Sequence, residues 1–136
     1  MSDTRTLNER YAEIGAELIR NEPALTYIRD SAATICYLSS TARKSRGGKA
    51  VKGECERVAD KNKWAIPCDF TVTVFEPNCE GMSDDQMRIL IFHELLHVGI
   101  ASDGSGEERY SIVPHDLEDF RIIVDSFGSD WSTPVG

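Results

Sequence analysis

The run "SDDQMRILIFHELLHVGIA", residues 83 to 101, constrains this chain more than any other stretch. Ser83 and Gln86 stand in capping-box spacing, so hydroxyl and amide can each satisfy a backbone N–H at a helix start. Asp84 and Asp85 follow in the first turn, where negative charge complements the helix dipole. The pattern predicts a helix from about 84 to 101, with Leu90, Ile91, Leu95 and Val98 as its apolar wall. His93 and His97 are one turn apart on it, so both imidazoles project from one face. Burying two neutral imidazoles and the Glu94 carboxylate among apolar side chains is costly without a partner, and a divalent cation is a natural one.

The five residues His93-Glu94-Leu95-Leu96-His97 form an HExxH pattern. Two histidines so spaced can reach one ion at the roughly 2.0–2.1 Å of zinc–nitrogen bonds. Glu94, one residue round from His93, would stand beside the ion and could take a proton from a water there. The chain has 3 histidines, and the last, His115, is placed to supply a third ligand, so every histidine belongs to one expected site. Three protein ligands with an open fourth position suit catalytic zinc, one ion per chain, whereas structural sites are normally closed by four. Asp116, Glu118 and Asp119 directly after His115 are alternative third ligands, and Asp116 or Asp119 could instead accept a ring N–H from a ligand histidine. Iron or nickel would also accept three nitrogens, but a non-ligand glutamate points to hydrolysis at zinc. The opposing reading is a buried helix with two satisfied histidines.

The rest of the chain predicts a single domain over residues 1–136, long enough to bury its own core. "TLNERYAEIGAELIR" reads as an amphipathic helix from about 7 to 20, opened by Thr6 and Glu9 and carrying Leu7, Tyr11, Ile14, Leu18 and Ile19 on one face. A short turn of helix in "PALTYIRD" and a strand over 33 to 40 follow. "DFTVTVFEP" alternates with period two, Phe70, Val72 and Val74 against Thr71, Thr73 and Phe75, which predicts a strand ended by Pro77. "SDGSGEERYS" reads as a loop, and "PHDLEDFRIIVDSFG" as a last helix begun by Pro114 and closed by Gly128, with Leu117, Phe120, Val124 and Phe127 as its stripe.

Composition narrows the partners. No apolar run is long enough to cross a bilayer, and the N-terminus lacks a secretory core, so a cytoplasmic location is expected. Cys36, Cys55, Cys68 and Cys79 include no CxxC pair and are expected as free thiols. A net charge of −8 argues against nucleic acid as a partner. The one basic block, Arg43 to Lys52 with Gly47 and Gly48 inside it, is the only segment that could meet nucleic acid or an acidic partner. It has no interleaved aromatics and reads first as a solvated turn.

The segments "DFTVTV", "SDDQMRILIFHELLHVG", "VPHDLEDF" and "FGSDW" together resemble the phage metallopeptidase family. Ile100 and Asp103 stand where a metzincin would carry glycine and histidine, so that arrangement is excluded. The resemblance implies an α+β, minimal zincin-like fold, similar to the catalytic core of SprT-type proteases without their cysteine zinc ribbon. In it a small mainly antiparallel or mixed sheet packs against an N-terminal helix, the HExxH helix and a C-terminal helix. It implies a zinc peptidase of a bacterial host's phage or prophage, acting on a protein or peptide substrate. The strand over 70 to 75 could then be the edge that a substrate joins, and Tyr110 an oxyanion donor. The alternative is a non-catalytic zinc-binding module that engages a host or phage protein.

Overall fold

In the computed structural model, which describes residues 3–102, 104–115, 120–128 and 131, the chain is a mixed α+β fold. Its centre is a four-stranded sheet of β1 (Arg5–Leu7), β2 (Ile35–Ser40), β6 (Phe70–Phe75) and β5 (Gly53–Arg57), in the order β1-β2-β6-β5. β6 runs parallel to β2 and antiparallel to β5, and β1 is antiparallel to β2. The sheet is therefore mixed.

Every residue of β6 is buried, yet the period-two alternation is real. Phe70, Val72 and Val74 join the main core beneath α1 (Glu9–Asn21) and α3 (Asp84–Leu95). Thr71, Thr73 and Phe75 face the other way under long polar side chains. Arg5 lies 5.5 Å and Lys44 5.6 Å from the Phe75 ring centroid, and Arg5 reaches Thr73 Oγ1 at 3.4 Å. Their aliphatic stems shield this face while the charged heads stay wet. The expectation that β6 is an edge is thus corrected: it has a neighbour on each side, and the open edge beside it is β5.

α1 begins two residues later than its capping-box spacing predicts. Thr6 and Leu7 are held extended against Ser39 and Leu38, so Asn8 becomes the cap, its side chain accepting from Tyr11 N at 3.0 Å. Leu7, expected in the apolar stripe, is exposed. α1 then lies close on β2 because Gly15 has no side chain: a Cβ there would stand 2.2 Å from the Tyr37 ring.

α3 opens as expected, with Ser83 and Gln86 making both capping-box bonds at 3.1 and 2.8 Å. It ends earlier, at Leu95, and the chain turns through Leu96 and His97 into β7 (Val98–Ser102), which pairs with β8 (Glu108–Ile112). Tertiary partners override the helical pattern here. Gly99 lets β7 approach β8 so closely that a Cβ would meet Ser111 Oγ at 2.5 Å. Tyr27, on the short helix α2 (Thr26–Arg29), donates its hydroxyl to Val98 O at 2.5 Å with Leu95 O 3.4 Å away, which serves the carbonyls released at the helix end.

The last helix, α4 (Arg121–Phe127), is shorter than expected. Pro114 and His115 lie outside it, because Val113 is tied to His97 and continues the extended course of β8. Leu117, and with it the acids Asp116, Glu118 and Asp119, lies outside the described residues. Among the described residues no helix is long and apolar enough to cross a membrane. The four cysteines are free thiols, three of them buried.

Candidate metal centre

The three histidines arrive from different elements and converge. His93 sits in the last turn of α3, His97 just past its end, and His115 three residues beyond β8. One ring nitrogen from each lies within 4.8 Å of the other two. His93 and His115 bring their Nε2 atoms to 2.9 Å, a separation at which two lone pairs would repel unless they share a proton or a cation. Two ligands on one tetrahedral zinc stand about 3.3 Å apart, given zinc–nitrogen bonds of about 2.05 Å. The three nitrogens therefore stand close enough together to meet on a single ion.

His97 is also oriented for the task. Its Nδ1 lies 2.6 Å from Val113 O, and Val113 N donates to His97 O at 2.7 Å. A carbonyl can only accept, so Nδ1 carries the proton and Nε2 keeps its lone pair. Phe120 packs edge-on against all three rings, with centroids 5.4, 4.9 and 5.0 Å from those of His93, His97 and His115. Trp131 stands 5.9 Å from His93. Sequence reasoning assigned Phe120 only to a helix stripe and did not single out Val113. A backbone carbonyl leaves no residue-type signal.

Glu94 is 4% exposed, and its Oε2 lies 3.8 Å from His93 Nε2. It does not join the mutual cluster of histidine nitrogens, so it stands beside the site. Opposite it, β5 presents Gly53, where a Cβ would lie 3.2 Å from Glu94 Cγ, Glu94 Oε2 and Leu90 Cδ1. The carboxylate fits because that side chain is missing. Nearby, burial pushes the Cys55 thiol well above its usual range, with the Glu94 charge adding to it.

A cleft of about 810 Å³ opens over this group, lined on one side by Leu90, Ile112, Val124 and Trp131 and on the other by the chain from Arg46 to Glu56. The basic block thus forms a wall of the cleft. It folds as a two-stranded hairpin, β3 (Ser45–Arg46) and β4 (Lys49–Ala50), turned by Gly47 and Gly48 at φ 58 and 79.

Tyr110 is not among the cleft-lining residues. Its ring packs edge-on to Phe70 at 5.4 Å and its hydroxyl donates to Glu108 Oε1 at 2.8 Å. Burial, aided by that carboxylate, pushes the phenol up to about 12.

A family model described as "Putative phage metallopeptidase" matches residues 5–135. No curated protein and no solved structure matches the chain.

Proposed function

Because the chain belongs to the phage metallopeptidase family, we propose that it is a zinc-dependent peptidase in which His93, His97 and His115 hold the ion and Glu94 moves the proton. The observation that carries this reading is the convergence of three histidine nitrogens within 4.8 Å beside the buried Glu94 carboxylate. When bound, zinc supplies Lewis acidity and lowers the pKa of a water to about 7. Glu94 Oε2 accepts the proton of the attacking water and delivers it to the leaving nitrogen as the peptide bond breaks. Val113 O fixes the His97 tautomer, and Phe120 keeps the three rings packed.

The peptide lies along β5. Lys52 O accepts from Phe75 N at 2.9 Å and Val58 N donates to Asp69 O at 2.8 Å, so residues of that parity turn their backbone groups toward β6. Gly53, Cys55 and Arg57 then turn theirs outward, along an edge to which no strand hydrogen-bonds among the described residues, with β8 packed close to it. An extended substrate adds to this edge by main-chain hydrogen bonds, which brings its carbonyl past Glu94.

The test pairs metal content with turnover of a labelled unfolded protein such as casein. Wild type and Glu94→Gln should each carry about one zinc, the three ligands suiting one ion. The variant should lose about 100-fold or more in rate, the scale of general-base catalysis. Equal turnover would remove Glu94 from the chemistry and favour a non-catalytic zinc module. A chain that takes up no zinc on reconstitution would end the reading altogether.

A further inference from the structure

We propose that the cleft selects peptides with an acidic side chain, met by Lys49 and Lys52. The proposal rests on the peptidase reading for its occupant and adds the substrate class. In a chain of net charge −8, the only basic block forms the cleft wall that continues into β5.

The charges on that wall do not cancel. Glu54 is neutralised twice, by Lys44 and by Arg46 at 3.4 Å, and Glu56 meets Arg5 at 3.5 Å. Lys49 and Lys52 line the cleft and make no ion pair within 4.0 Å among the described residues. Both are held in place through their backbones. Lys49 pairs with Arg46 in the hairpin, and Lys52 O accepts from Phe75 N at 2.9 Å.

Strand geometry says which substrate side chains they meet. Cys55 pairs with Val72 and faces the core under the helices, as does Gly53 beside Glu94. Glu54 pairs with Thr73 and faces the opposite side, where Lys44 and Arg5 lie, and Lys52 shares its parity. A strand added to β5 alternates in the same way. Its side chains on the helix face meet the apolar wall of Leu90, Val124 and Trp131, and those on the other face meet Lys49 and Lys52. A carboxylate there gains two ammonium partners without having to break a pair made among the described residues. The hairpin places no aromatic between its cations on which successive bases could stack, so it suits a peptide better than a single nucleic-acid strand.

The experiment uses zinc-loaded Glu94→Gln full-length protein and fluorescent, otherwise neutral peptides carrying Glu, Gln or Lys at one position in turn. Anisotropy should show the Glu peptide binding about fivefold tighter than the Lys peptide at the responsive position, with the gap narrowing in high salt. Adding Lys49→Glu and Lys52→Glu should reverse the order, and the milder pair Lys49→Gln and Lys52→Gln should flatten it. No discrimination, an order unchanged by the lysine variants, or a single-stranded oligonucleotide binding more tightly than any peptide would each overturn the proposal. Wild-type turnover separates the two readings. If peptides bind in the expected order and none is cleaved, the peptidase reading fails while the acid-selective cleft stands. Cleavage of all of them at one rate and affinity sinks the selection alone.

Discussion

Gly53→Ala is expected to slow turnover without removing the metal. The new Cβ would sit 3.2 Å from Glu94 Cγ, Glu94 Oε2 and Leu90 Cδ1, whereas carbon pairs are most favourable at about 3.5–4.0 Å. Something must move by a few tenths of an ångström, and the end of the Glu94 side chain gives more readily than the paired backbone of β5. Gly53 is not in the left-handed region, so alanine fits its backbone and gains about 0.4–1 kcal/mol by restricting the unfolded chain. Against this stands an overpacking cost of about 1–2 kcal/mol. The net loss of about 1 kcal/mol should lower Tm by roughly 4 °C in a domain of this size. Since a misplacement of about 1 Å can cost 100-fold, a shift of a third to a half of that should lower kcat about 4- to 10-fold. Gly15→Ala is the control. It forces a Cβ to 2.2 Å from Tyr37 on the α1–β2 contact and so costs stability, but it touches nothing near Glu94. Zinc content, Tm and kcat are measured on all three proteins. A Gly53→Ala protein with unchanged kcat, or one whose kcat falls no more than that of Gly15→Ala, would refute the reasoning.

Two further outcomes follow from the same geometry. His115 is exposed, so His115→Ala should leave metal-free Tm nearly unchanged. At zinc 100-fold above its Kd the wild type should gain about 2.7 kcal/mol, near 9 °C for a chain of 136 residues, and the variant under half of that; equal zinc-induced shifts in thermal scans would remove His115 from the site. Burial pushes the Asp69 carboxyl up, but Lys63 Nζ at 2.9 Å, Thr34 N at 2.9 Å and Thr34 Oγ1 at 3.1 Å outweigh it and hold its pKa below the usual 3.8. Its folded pKa lies below the unfolded one, so its contribution is full above that range and is lost as pH falls through the folded value. Asp69→Asn should therefore be less stable than wild type near neutrality, with the gap closing in acid; denaturation curves showing a constant gap through acid would contradict this.

Local chemistry was legible in the sequence and tertiary pairing was not. The capping box of Ser83 and Gln86 is a contact within four residues, so α3 starts where its spelling says. Its end is set elsewhere, by β8 pairing with Val98 and by the Tyr27 hydroxyl, and nothing in "LLHVGIA" announces either. β5 escaped notice because "GECER" carries no apolar run; Cys55 alone puts a buried side chain into the core, and the strand exists through its register with β6. The alternation of β6 was readable, but period two cannot tell an interior strand from an edge, since Arg5 and Lys44 supply the second cover from distant positions. At the site, the three histidines and Glu94 were marked by residue type and spacing. The Val113 carbonyl, the Phe120 ring and the void at Gly53 were not, because a backbone atom, a common apolar residue and a missing side chain carry no spelling of their own.

The void at Gly53 also explains how one strand serves two purposes. Along β5, odd-numbered residues face α3 and even-numbered ones face the hairpin, while the outward backbone groups of the odd residues form the free edge. On the proposed reading, Gly53 would offer main-chain hydrogen bonds to a substrate while leaving room behind it for the Glu94 carboxylate, room that a Cβ would narrow. Lys52, one residue earlier, shares the parity of Glu54 and points to the other face. If both proposals hold, rate and selectivity would lie on alternate residues of a single strand. Changes at Gly53 should act on kcat for every peptide alike. Changes at Lys52 should alter which peptide binds, acting on KM and leaving kcat for a neutral peptide where it was.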